Sequence, residues 1–165
     1  MNLKQFKTNI TNVKNMSPEV YKETMKVSIP FFVLHNKLYS KGEEILSNDF
    51  NINQSELDVL SSLYYMSGGT STLTPTQLYD VMLFSSGGMT KLLKKLETKD
   101  FIVRLDNEED KRSKLVQITC KGIDVITAAL EKVVTYEDKY FSRLNVEEQE
   151  LFRTLIYKML DEKDK

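Results

Sequence analysis

Leu3, Phe6, Ile10 and Val13 recur every three to four residues, which predicts a short first helix. Ser17-Pro18-Glu19 follows as a helix-start signal, and the pattern is helical again from Pro18 to about Leu46. Val20, Met25, Val27, Phe31, Phe32, Leu34, Leu38, Ile45 and Leu46 are too many apolar positions for one narrow stripe. Pro30 is expected to kink or divide this helix, because proline removes a backbone hydrogen bond and its ring crowds the preceding turn. Asn53-Gln54-Ser55-Glu56 reads as a capping box opening a helix through Tyr65, closed by Gly68-Gly69. A second box, Thr74-Pro75-Thr76-Gln77, starts a short helix carrying Leu78, Val81 and Met82. Phe84-Ser85 makes a turn, and Ser85 caps a third helix, Ser86 to about Lys99, whose inward stripe is Met89, Leu92, Leu93 and Leu96.

After Asp100 the period changes to that of strands. Phe101–Leu105 and Leu115–Thr119 predict a hairpin around a charged loop, Asp106 to Ser113. The chain then turns helical to about Leu144, and Asn145-Val146-Glu147-Glu148 opens a last helix with Leu151, Leu155, Ile156, Met159 and Leu160 on one side. The expected fold is mainly α with a small β-hairpin (α+β). Helices in residues 1–49 and 121–165 flank a winged helix-turn-helix lobe in residues 50–120.

Composition narrows the reading further. A chain of 165 residues with 41% apolar and 28% charged content has room for one compact domain, or a small one with helical extensions. Its longest apolar run, Ile29 to Leu34, is far short of the roughly 20 residues that cross a bilayer. No secretory signal follows the basic N-terminal flank, and a lone cysteine makes no internal disulfide, so a cytoplasmic protein without membrane association is expected. Net charge is only −1, but it is unevenly spread. Residues 85–121 hold nine Lys/Arg against six Asp/Glu, residues 122–165 hold seven against ten, and residues 50–84 carry three acids and no base.

The positive segment coincides with the third helix of the lobe and its hairpin. A major groove admits one α-helix whose outward side chains reach base edges. Away from the apolar stripe, this helix presents Gly87, Thr90, Lys91 and Lys94, with Ser86 at its start and Lys95 at the flank. Small residues come first and permit close approach, and lysines follow where a phosphate would lie. The hairpin tip offers Lys111 and Arg112 to a neighbouring minor groove. Thr74 and Thr76, at the start of the preceding helix, complete the candidate DNA contacts.

The stretches Leu73–Leu78, Ser85–Glu97 and Asp110–Thr119, the last followed by Lys121-Gly122, resemble the MarR family of transcription regulators. The family's hairpin pattern D-x-R-x-x-x-V-x-L-T-x-x-G is met by Asp110, Arg112, Val116, Thr119 and Gly122, with Ile118 in place of leucine. The resemblance covers about residues 73–122. It implies a homodimer built from interleaved N- and C-terminal helices, binding double-stranded DNA at a pseudopalindromic operator. By position, Ser85, Ser86, Gly87, Thr90, Lys91 and Lys95 correspond to residues that meet the major groove. Arg112 corresponds to the arginine that enters the minor groove, oriented by Asp110. The family usually places arginines near Ser86 and at Lys91. Lysine cannot make arginine's bidentate contact to guanine, so a different operator preference is expected.

Many relatives bind small aromatic or phenolic effectors in a cleft beside the DNA-binding part. Phe31, His35, Tyr39, Tyr64 and Tyr65 are the candidates to line such a pocket here, with ordinary packing the favoured reading of the aromatics. His35, the single histidine, lacks the companions of a metal site, and no metal or cofactor is expected. Cys120 reads as structural. No phosphate-cradling glycine loop, metal cluster or Ser-His-Asp set points to an enzyme. The leading expectation is a repressor relieved by a small-molecule effector. The alternative is a dimeric winged-helix interaction module that has lost DNA binding, supported by the acidic run Asp106, Glu108, Glu109 and Asp110.

Overall fold

A computed structural model describes residues 3–82, 86–108 and 113–161 of the chain. It forms two units, Met1–Lys41 and Gly42–Lys165. The first holds helix α1 (Leu3–Met16) and the opening turns of α2 (Met25–Phe50). The second holds the end of α2, then α3 (Gln54–Tyr65), β1 (Thr72–Leu73), α4 (Pro75–Met82), α5 (Ser86–Thr98), β2 (Ile102–Asp106), β3 (Lys114–Ile118), α6 (Cys120–Phe141) and α7 (Val146–Leu160).

In the first unit the start signal at Ser17-Pro18-Glu19 opens a single turn and not the long helix. The carbonyl of Ser17 accepts from the N–H groups of Val20 and Tyr21, and the chain re-enters a turn before α2 begins at Met25. The carboxylate of Glu23 anchors this second entry. It accepts from the Tyr21 hydroxyl at 2.9 Å and pairs with Lys26 at 2.6 Å. The Lys26 and Tyr21 hydrogen bonds together hold its pKa below the ordinary carboxylate value. Pro30 lies inside α2 and does not divide it.

The second unit has a single core. Leu46, Ile52, Leu57, Val59, Leu60, Leu63, Leu78, Met89, Leu93, Leu96, Phe101, Ile102, Val116, Ile118, Ile126 and Ala129 are all buried. α3 is the central element, packing against α4, α5, α6 and the sheet. Its capping box forms as expected: Asn53 Oδ1 accepts from Glu56 N at 2.9 Å and Glu56 Oε2 from Asn53 N at 3.1 Å. The reciprocal bonds at α4 also form, Gln77 N to Thr74 Oγ1 at 3.2 Å and Thr74 N to Gln77 Oε1 at 2.8 Å. Gly68 and Gly69 take positive φ in the turn that leaves α3.

The expected hairpin is part of a three-stranded antiparallel sheet, ordered β1-β3-β2. Thr72 and Leu73 pair with Gln117 and Val116 along the far side of β3. A two-residue strand is too short to show alternation, which is why the pattern of the chain did not disclose it. On the other side Ile102 faces Ile118 and Asp106 faces Lys114.

Two junctions fix the sheet against the helices. α5 ends with Asp100 at φ 61°, Phe101 N bonding to Leu96 O and Asp100 N to Glu97 O at 3.0 Å each. This is the paired closure of a left-handed helix end. α6 begins with Thr119, whose Oγ1 accepts from Gly122 N at 3.0 Å. A Cβ on Gly122 would lie 2.3 Å from the Phe101 carbonyl oxygen, so the last residue of the hairpin pattern is glycine because the backbone leading into β2 runs against the first turn of α6.

Candidate nucleic-acid interface

α5 is amphipathic in fact as well as in pattern. Met89, Leu93 and Leu96 are buried and Leu92 is half-buried, while Gly88, Thr90, Lys91, Lys94 and Lys95 are exposed. Thr76 is exposed at the first turn of α4, and Thr74 is half-buried as its cap. Ser86 and Gly87 form the first turn of α5. Ser85, Asp110, Lys111 and Arg112 lie outside the described residues, so the Asp110–Arg112 pairing expected from the sequence belongs to that segment as well.

β2, the first strand of the hairpin, packs against this helix. Arg104 on β2 sets its Nε 3.4 Å from Glu97 Oε2 on α5. Further out, Lys114 pairs with Asp106 across the two strands, and Asn107 Nδ2 donates to Ser113 Oγ at 3.0 Å.

The lysines of α5, with Lys99 just past its end, fall into two groups. Among the described residues, no carboxylate pairs with Lys91 or Lys94. Lys95 Nζ instead donates to Glu56 Oε2 at 2.8 Å, and Lys99 Nζ to Glu56 Oε1 at 2.5 Å. Glu56 is fully buried. The capping box identified Glu56 from the sequence, but its pairing with α5 joins positions far apart in the chain, which no local pattern reveals. An open cleft of about 290 Å³, lined by Asn53, Ser55, Gly88, Lys91, Leu92 and Lys95, runs between the start of α3 and the exposed side of α5. Behind it on α3, burial raises the pKa of Asp58, against a hydrogen bond from Gln54 that lowers it.

The aromatic candidates divide between the units. In the first, the His35 and Tyr39 rings stack with centroids 5.9 Å apart, and both residues are exposed, as is Phe31. In the second, Tyr64 packs against the core, and Tyr65 meets it edge-on at 4.7 Å while staying exposed. Within the chain, core packing thus describes Tyr64 and not Phe31, Tyr39 or Tyr65. Cys120 is an exposed thiol at the first position of α6, so it serves no core role.

The family model described as MarR family matches residues 50–113, from the last residue of α2 to the foot of the wing. The chain is 28% identical over 127 residues to the HTH-type transcriptional regulator MhqR of Bacillus subtilis, covering 75% of this chain and 85% of that one. It is 29% identical to the transcriptional regulator HosA of Escherichia coli over 84 residues, 51% of this chain and 62% of HosA. Among solved structures it superposes on the MepR–DNA complex of Staphylococcus aureus with a TM-score of 0.70 and 25% identity, over 81% of this chain and 96% of that one. Residues 50–113 thus match the MarR family, and the fold is that of its winged-helix members. The MarR match takes in both helices of the helix-turn-helix together with β2. Among the described residues, no helix is long and apolar enough to cross a membrane.

Proposed function

We propose that this chain is a sequence-specific DNA-binding transcription regulator of the MarR family and not an enzyme. In this reading α5 enters the major groove with Thr90, Lys91 and Lys94 facing the duplex. Ser85, Ser86 and Gly87 lie at its approach, and Thr74 and Thr76 contact the backbone from α4. The loop bearing Lys111 and Arg112 reaches the adjacent minor groove, with Asp110 orienting the arginine. The carrying observation is the face of α5 opposite Met89, Leu93 and Leu96, exposed and bearing two lysines without carboxylate partners among the described residues. Such a face attracts phosphate, and β2, from which the hairpin continues, packs against the same helix.

The working form is a homodimer, in which residues 1–49 and 121–165 join two lobes, residues 50–120. Its support is α7, a fully capped helix without one buried residue. Two lobes set roughly 34–36 Å apart would engage one face of a pseudopalindrome. Repression is the proposed outcome, relieved by a small aromatic or phenolic molecule that favours another spacing of the lobes. The support is the exposed rings of Phe31, Tyr39 and Tyr65. The cytoplasm is the proposed location.

Gel shifts on duplex from the protein's own promoter region test the reading. Affinity is expected to fall steeply with salt, and Lys91→Ala combined with Arg112→Ala to abolish the shift at physiological ionic strength. Salt-independent binding, or a double variant that binds like the parent, contradicts it. The competing interaction module drew on the acidity before the wing tip, and Asp106, one of those acids, is neutralised by Lys114.

A further inference from the structure

Glu56 and Ser62 are the buried polar residues among those described, and Glu56 is the charged one. A glutamate at the third position of a helix ordinarily closes a capping box in solvent, where glutamine would do as well. Here α5 covers it. The carboxylate accepts from Asn53 N and Lys95 Nζ through one oxygen and from Lys99 Nζ through the other. Lys99 also donates to the carbonyl of Asn51 at 2.5 Å, at the left-handed residue that joins α2 to α3. Lys95 and Lys99 are one helical turn apart. A buried carboxylate left without such partners would be strongly destabilising, so the charge constrains where α5 can sit.

We infer that Glu56 is a positioning residue for the duplex-reading helix: through Lys95 and Lys99 it fixes the rotation of α5 about its axis, so Lys95 orients α5 and is not a phosphate ligand. The inference rests on the DNA-binding reading above. It divides the exposed lysines of α5 by role, with Lys91 and Lys94 facing the duplex and Lys95 turned to the protein. Lys95 keeps a half-exposed side chain, whereas that of Lys99 is 18% exposed, so Lys99 is the inner arm of the clamp and Lys95 the outer.

The test compares the salt dependence of duplex binding in the full-length protein for the parent, Lys91→Gln, Lys95→Gln and Lys95→Arg. Lys91→Gln is expected to flatten the log–log slope by about 0.9, the signature of one lost phosphate contact. Lys95→Gln is expected to leave the slope unchanged while lowering affinity about 10-fold at every salt concentration, as loss of an interaction coupled to the site would. Lys95→Arg, which still pairs with Glu56, restores the affinity. A slope flattened by Lys95→Gln as much as by Lys91→Gln overturns the inference.

A second arm needs no DNA. In urea unfolding, Glu56→Gln and Lys95→Gln are expected to be coupled about 10-fold in the unfolding constant, and additive effects overturn the clamp. If Glu56→Gln does not fold, Lys99→Gln takes its place in the cycle with Lys95→Gln. A parent that binds no duplex at low salt refutes the DNA-binding reading, while the unfolding cycle still decides whether the clamp exists.

Discussion

α5 and α7 carry similar apolar stripes in the sequence and meet opposite fates. In α5, Met89, Leu93 and Leu96 are at most 2% exposed. In α7, Leu151, Leu155, Met159 and Leu160 are between 50% and 73% exposed. The difference lies in what surrounds them. α5 meets α3, α4 and β2, whereas α7 owes its form to local signals: the reciprocal Asn145–Glu148 capping box and the bonds of Gln149 Nε2 to the carbonyls of Phe141 and Leu144. Periodicity reports that a helix has an apolar side. It does not report whether the partner for that side is in the same chain.

The largest effect that would break this contrast is on assembly. Leu151→Glu with Leu155→Glu is expected to convert a dimer to a monomer in light scattering with the lobe still folded, and an unchanged mass removes α7 from the interface. Next comes the core: Leu93→Ala is expected to cost about 3 kcal/mol in urea unfolding. In the monomeric background Leu160→Ala is expected to cost less than about 0.5 kcal/mol, as for an ordinary surface change. Equal losses would mean that α7 is buried within one chain after all. Asn145→Ala should then remove about 1 kcal/mol of helix stability. Amide exchange should record this in α7 and leave α5 protected, since only α7 depends on its cap.

The smallest effect concerns α3, the support of α5. Burial raises the pKa of Asp58, so its ionisation opposes folding, and the stability it contributes as a neutral group is lost as pH rises through the folded-state value. Asp58→Asn is expected to raise the melting temperature slightly at pH 7, the gain vanishing below the ordinary value of 3.8. A gain that persists in acid would point to a cause other than charge.

Much of the lobe was legible because its signals are local. The boxes at Asn53 and Thr74 and the stripe of α5 each lie within a few residues, and each forms. The glycine of the hairpin pattern is legible as a residue but not in its cause, the Phe101 carbonyl, distant in sequence, against which Gly122 packs. The two hairpin strands run one residue off the boundaries that the change of period marks, and β1 leaves no mark because two residues carry no period. Ser17-Pro18-Glu19 resembled a helix start and produced one turn, because Glu23 with Lys26 and Tyr21 supplies the entry to α2 instead. Least legible was the Glu56 clamp, whose partners lie 39 and 43 positions away.

Hydroxyl-radical footprinting of the protein on its own promoter region tests the central claim most directly. Protection is expected in two symmetric patches centred about one helical turn, or a whole number of turns, apart, each pairing a major groove with the minor groove beside it. A duplex left uniformly cleaved at low salt and saturating protein would mean that the exposed face of α5 does not meet DNA.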